Sequence, residues 1–486
     1  MTFVDLGKRN KGTFWGYMAA YAFSRTRLPN TDFKITNLAE IGKGDANNHC
    51  HSLSDISSNI EVFKTEFSKG VYTLKFFDEL IHVYTDPYET LVQQLAKKDL
   101  VHLTNEELAR LCTDVFNVIG TTHTPMLFAL YTRYLDDFIH QSIIDIVGDD
   151  LSSVEVNQIK NLLLTPQHIG LPDKESDAIH EIAVSFTKDT DQDFENFFSS
   201  HQELFQNLVN QYGWFHMEYA QQPFSVSDYK NLVQIAVQSI DKYIPSIERK
   251  NKLIKEQEEF FKNYQGTKND TLQKLSYFMQ QCARILDHSK EITVRGHFMS
   301  TPLFLEIAQR LHVSRLDLLM LTLPEIVDYL QTHTPADQTL IDKRKTCRVT
   351  LLKDGEISVY EGSLAEEQAR ILFPDSVLDS KTIKGVVAFE GSYTGTVKVI
   401  NSINDKKNFN PGDVLVSHDG SAELTLLLRQ AGAIITDGGG IISHVATVAR
   451  EMKIPTIVAT GNATQVLTNG MVVEVDAVNG VVIIIK

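Results

Sequence analysis

Near Cys347 the apolar residues stop recurring every three to four positions and begin to alternate. The first spacing lays one apolar stripe along a helix; alternation buries one face of a strand; neither pattern serves the other structure. The chain must therefore divide. Residues 1 to about 340 read as a large, mostly helical region. Within it Thr104 and Glu107 form a capping box, Leu108, Leu111, Cys112, Val115 and Ile119 follow at helical spacing, and Gly120 is expected to end the helix. Thr124-Pro125 then reads as a new cap with proline at the first helical position, so two antiparallel helices are expected on either side. Stretches 247–264 and 271–288 read as a helical hairpin, with Leu272, Leu275, Met279, Cys282 and Leu286 on one face.

Beyond Cys347, Arg348–Lys353 alternates, Asp354-Gly355 supplies a favoured turn dipeptide, and residues 356–360 return as a second strand. With a short helix over 364–372 leading to Pro374, this hairpin is expected to form a small connector, residues 345–380. From Lys384 onward short strands alternate with glycine turns, at 395–400, 413–417, 433–436, 456–459, 471–475 and 481–485. The fold class expected is multidomain α+β, divided at 1–340, 345–380 and 384–486.

One junction in the last segment carries chemistry. Ala433-Ile434-Ile435-Thr436 reads as a strand, Gly438-Gly439-Gly440 as a loop, and Ser443-His444 as the start of a helix reaching Arg450. Three glycines leave no side chain between the backbone and a phosphate, and the helix start offers free N–H groups and positive dipole. A neutral imidazole there is nucleophilic near pH 7 and can carry a phosphoryl group. A lone histidine at a helix start is commonly a surface or capping residue; the surrounding spacing decides between the two.

That spacing, Thr436-x-x-Gly439-Gly440-x-x-Ser443-His444-x-Ala446-x-x-Ala449-Arg450, resembles the phosphohistidine signature of a swivelling mobile domain. The domain occurs in phosphoenolpyruvate synthases, pyruvate phosphate dikinases, the phosphotransferase-system enzyme I and rifampin phosphotransferases. Flanks at 412–416, 454–458 and 470–476, with Gly480, extend the likeness over 384–486. The resemblance implies a swivelling β/β/α domain with His444 as nucleophile. It makes Gly438, Gly439 and Gly440 the close-approach loop and Thr436 and Ser443 the hydroxyls that hold loop or phosphate. Arg450 is either structural or a phosphate contact. Residues 317–326 resemble an element that precedes such domains, although Thr322 also reads as a plain helix cap. Ile442 stands where plant-type dikinases carry a regulatory threonine, so that control is absent. His418 is expected to be a solvated loop residue.

Residues 1–340 carry nothing like an ATP-grasp domain or a P-loop, and no phosphoenolpyruvate-binding barrel is legible. The resemblance therefore implies an incomplete phosphotransferase component. A separate ATP-grasp (or phosphoenolpyruvate-binding) partner would hold ATP and Mg, and a small-molecule acceptor would sit in the helical region. A phosphocarrier relay resembling enzyme I, and a noncatalytic scaffold with a vestigial mobile domain, are the alternatives.

A net charge of −16 argues against nucleic acid as a partner, since that affinity rests on neutralising phosphates. Four scattered cysteines suggest neither zinc nor disulfides and fit a reducing compartment. His49-Cys50-His51 is the one metal-like cluster, but adjacent residues point different ways, so no metal is expected. The run from Phe14 to Phe23 superficially resembles a signal peptide. It is aromatic, followed by Ser24-Arg25-Thr26-Arg27, and too short to span a bilayer, so it reads as a buried segment of a cytoplasmic protein, with no membrane partner. Trp15, Tyr131, Tyr134, Trp214 and Phe215 are expected in core packing.

Overall fold

The computed structural model describes residues 3–485 except 10–12, 26–27, 44–45, 149–150, 189–192, 218–221, 239, 265, 373–381, 401–408, 419, 421–423 and 442. Pro374 and Ile442 thus lie outside the described residues. The chain forms two compact units, each assembled from three stretches. One is Met1–Tyr131, Met217–Pro223 and His288–Val377; the other is Thr132–His216, Phe224–Asp287 and Leu378–Lys486. The helical region expected over residues 1–340 is therefore shared between two bodies.

In the first unit the hairpin near Cys347 is not a free-standing connector. Strands β1 (Phe3–Arg9), β2 (Asn37–Lys43), β3 (Ala46–Ser52), β4 (Arg348–Lys353) and β5 (Glu356–Glu361) form one antiparallel sheet in the order β1-β3-β2-β4-β5. Asp354 and Gly355, both at positive φ, make the anticipated turn. Cys50 points into the apolar core with Ala39, Cys347 and Val349, whereas His49 and His51 face Glu40 and Tyr131. Residues Phe14 to Phe23 lie in the helix Thr13–Arg25 and are largely buried, Trp15 at 1% exposure.

The helix that begins after the Thr104–Glu107 capping box does not stop at Gly120. It runs over Asn105–Tyr131, through Gly120 and Pro125, so the expected antiparallel pair is absent. Gly120 serves packing instead: a Cβ there would lie 3.1 Å from Met18 Cγ, and its absence lets Thr13–Arg25 come close. Likewise the second arm of the expected hairpin, Thr267–Arg310, continues well past 288 and through Pro302. Thr322 is a helix cap: its N–H donates to Glu325 Oε2 (2.8 Å), and Arg344 grips that carboxylate at 2.7 and 2.9 Å.

In the second unit eight strands form a sheet ordered β6-β13-β12-β8-β9-β10-β11-β7. They are β6 (Thr382–Lys384), β7 (Val386–Phe389), β8 (Ser392–Val399), β9 (Val414–Ser417), β10 (Ala433–Thr436), β11 (Thr456–Val458), β12 (Val472–Asp476) and β13 (Val481–Ile484). Strands β8 to β11 run parallel, and the outer pairings are antiparallel. Every residue of β9 and β10 is buried, as parallel strands covered on both faces require. Leu415 and Ile434 share a core with the helices Leu171–Lys188, Gln202–Tyr212 and Val226–Gln238. Val414, Val416, Ala433 and Ile435 face the other way, among Val473, Val475 and Val482.

Gly432, just before β10, has a steric reason: a Cβ would fall 2.1 Å from Tyr393 Cζ. Tyr393 cannot easily retreat, because its hydroxyl donates to Gly412 O at 2.6 Å. Gly432→Ala is expected to destabilise this unit by about 1–3 kcal/mol. An unchanged denaturant midpoint for the full chain would contradict this packing.

Candidate functional site

The carboxyl ends of β9, β10 and β11 lie side by side, the place where open parallel sheets bind ligands. Thr436 to Gly440 leave β10 there, and Ser443 turns the chain into the helix His444–Met452. The loop is held by its own strands. Gly438 N–H donates to His418 O (2.7 Å), and Gly438 O accepts from Thr436 Oγ1 (2.7 Å) and Ala459 N (3.0 Å). Thr436 is fully buried, so its hydroxyl braces the loop. Gly439 has φ +92°, a conformation that disfavours any side chain, and a Cβ on Gly440 would sit 2.7 Å from Arg133 Cβ.

Ser443 is the helix N-cap, accepting from Ala446 N–H at 3.3 Å. Arg450 is 6% exposed and lies under the loop. It donates to Ile441 O (2.6 Å), Thr165 Oγ1 (3.0 Å) and Thr447 Oγ1 (3.4 Å). Burial pulls its guanidinium down to about 10. Of the two readings open for Arg450, this geometry is the structural one.

His444 opens the helix and is partly exposed. Its Nε2 lies 2.9 Å from Thr425 Oγ1, on the short buried helix Thr425–Leu428. A neutral imidazole accepting from that hydroxyl presents Nε2 as its basic nitrogen. The ring borders a cleft of about 380 Å³, including its mouth, whose walls carry Thr447, Glu451, Lys250, His168 and Asp287. Much of that volume is open solvent, and the enclosed part of the cleft has room for about one water. The imidazole is therefore not sealed in apolar packing.

The cleft wall continues into a buried ionic cluster. Arg249 bonds Asp173 (3.0 Å) and Glu451 (3.1 Å), Lys250 bonds Glu451 (2.6 Å), and Arg429 reaches Asp173 (3.4 Å). All five side chains are at most 12% exposed. Lys250 also donates to Pro166 O at 2.9 Å. Burial, then the neighbouring Arg249, pushes the Arg429 guanidinium below its ordinary value.

His418 is a loop residue 32% exposed, tied down on one side: its Nδ1 lies 3.0 Å from Asp437 Oδ2. Burial alone would raise the Asp437 carboxyl, but donors from His418 and Thr464 outweigh it and hold it below the usual carboxylate range. A lowered native value means that Asp437 stabilises the fold above that range and ceases to as pH falls through the native value. Asp437→Asn is thus expected to cost about 1–3 kcal/mol at neutral pH and progressively less in acid. Denaturant titrations across pH would test this; a constant difference would overturn it.

Residues 409–480 match the family described as PEP-utilising enzyme, mobile domain. The C-terminal segment is such a mobile domain. It is 39% identical over 122 residues to the uncharacterized phosphotransferase YvkC of Bacillus subtilis, covering 25% of this chain and 15% of that one. It is 36% identical over 136 residues to the phosphoenolpyruvate synthase of Aeropyrum pernix (28% and 17%). With the phosphoenolpyruvate synthase of Pseudomonas aeruginosa it shares 41% over 103 residues (20% and 13%). The chain thus spans less than a fifth of the length of these curated relatives, and the likeness is confined to its C-terminal region.

In this mobile domain the sequence placed His444, its glycine loop and its cap together, and the structure groups them at one strand end. What the sequence did not signal is the ring's company. Thr425 is one hydroxyl in the apolar run 424–428, and His168, Lys250 and Asp287 come from distant helices and loops. Among the described residues no group of three or more His, Cys, Asp or Glu is placed to hold a metal ion. No helix among them is long and apolar enough to cross a membrane.

Proposed function

We propose that the chain is a phosphotransferase component that carries a phosphoryl group on His444 from a donor to a small-molecule acceptor. The observation that carries this reading is an accessible imidazole at a helix start, with a hydroxyl on Nε2 and an open cleft beside it. Nε2 attacks the donor's terminal phosphorus in line, the N–P bond forms, and the donor oxygen departs with the electron pair. Thr425, freed from the nitrogen lone pair, donates instead to a phosphoryl oxygen. The helix start compensates charge. In the second half the acceptor attacks phosphorus and the imidazole leaves.

The donor is a separate ATP-grasp protein holding ATP and Mg, or phosphoenolpyruvate bound by another protein. The full chain should acquire acid-labile, base-stable phosphate when given labelled ATP with such a partner, or labelled phosphoenolpyruvate with its binding protein. Peptide mapping should place the label on His444. Which donor labels it separates the two sources, and absence of label with either would refute the carrier role.

A further inference from the structure

The cleft beside His444 contains a second histidine that this scheme has not used. His168 Nε2 lies 2.8 Å from Asp287 Oδ2, and both residues border the same cleft as the His444 ring. His168 is 24% exposed and Asp287 38%, so the pair is neither buried in the core nor fully solvated. Gly170 permits the arrangement, since a Cβ there would lie 3.3 Å from Asp287 Oδ2. A carboxylate on Nε2 holds the imidazole with its proton on that nitrogen, leaving Nδ1 as the basic one. Of the other titratable groups on the walls, Asp173, Lys250 and Glu451 are engaged with one another through Arg249.

We infer that His168 is the general base of the second half-reaction, positioned by Asp287, and that the acceptor is a hydroxyl compound. This rests on His444 being the carrier. The acceptor oxygen attacks the phosphorus on His444, the O–P bond forms, and the N–P electron pair returns to the His444 ring. The hydroxyl proton passes to His168 Nδ1, and Asp287 stabilises the resulting imidazolium. A carboxylate or phosphate acceptor has no proton to lose and would leave His168 without a task; an alcohol needs a base and meets one.

The test uses the full chain charged chemically with potassium phosphoramidate, with phosphohistidine on His444 quantified by mass spectrometry. Its loss, to water and to added glycerol together, is followed from acid to neutral pH and compared with that of the urea-unfolded chain. In the wild type the ratio of folded to unfolded rates should rise with pH, because only an unprotonated imidazole can take the acceptor's proton. His168→Gln should be charged to the same extent, discharge about a hundredfold more slowly and lose the pH dependence. Asp287→Asn, the check against a folding defect, should also slow discharge while charging and melting normally. A His168→Gln chain that discharges at the wild-type rate and pH profile overturns the base while leaving the carrier intact. So does a wild-type rate no faster than the unfolded chain's. Failure of His444 to charge at all overturns both.

Discussion

His444→Ala is expected to abolish acid-labile, base-stable labelling of the chain, a loss of at least ~10³-fold in phosphoryl transfer. The size follows from the role: a covalent carrier has no substitute when its one attacking atom is removed. Stability should hardly change, because the ring is partly exposed and its hydrogen bond to Thr425 contributes only about 1 kcal/mol. The experiment pairs quantitative phosphohistidine analysis with a denaturant titration of the same sample. Label persisting in His444→Ala would show that another side chain carries the group. Loss of label accompanied by unfolding would show a structural residue instead.

The second large effect concerns Glu451. Glu451→Gln keeps the shape but leaves Lys250 and Arg249, at 3% and 7% exposure, without the carboxylate that joins them. Removing one partner of a buried ion pair costs about 3–5 kcal/mol, chiefly because the remaining charge stays buried and uncompensated. Arg249 retains Asp173 and Lys250 retains the Pro166 carbonyl, which favours the lower end. Urea titration of the full chain measures the loss. Adding Lys250→Met to Glu451→Gln should restore part of it, since both charges are then gone. A Glu451→Gln chain as stable as wild type would show that the cluster is solvated in solution.

The candidate site was legible where it is local. Strand, glycine loop, cap and histidine are contiguous between Ala433 and Met452, and each member has a mechanical reason readable in order. Distant partners left no such trace. Thr425 occupies an apolar run, and His168 and Asp287 lie 119 residues apart. Punctuation misled for a related reason. Gly120 and Pro125 read as helix ends, but the helix Asn105–Tyr131 continues because tertiary packing against Met18 rewards a missing side chain. Strands β1 and β3 escaped because FVDLGKR and ANNHCHS show no clean alternation; their pairing with each other, and of β3 with β2, makes them strands. The mobile domain's β9 and β10 were easier, being short apolar runs bounded by glycine.

The core that Leu426, Leu427, Leu428, Val445 and Val448 share with Ile179, Phe205, Leu232 and Val233 sets a condition on how a swinging domain of this kind can work here. Carrying His444 away from the helices wets those side chains, at about 1.5–3 kcal/mol for each fully exposed one. Thermal agitation alone would rarely supply that sum. Departure therefore has to be an exchange of one greasy seat for another, with the receiving surface covering the leucines as the helices release them. In the proposed scheme the journey of the imidazole would thus be timed by what awaits it, and an unaccompanied chain would stay parked at the cleft.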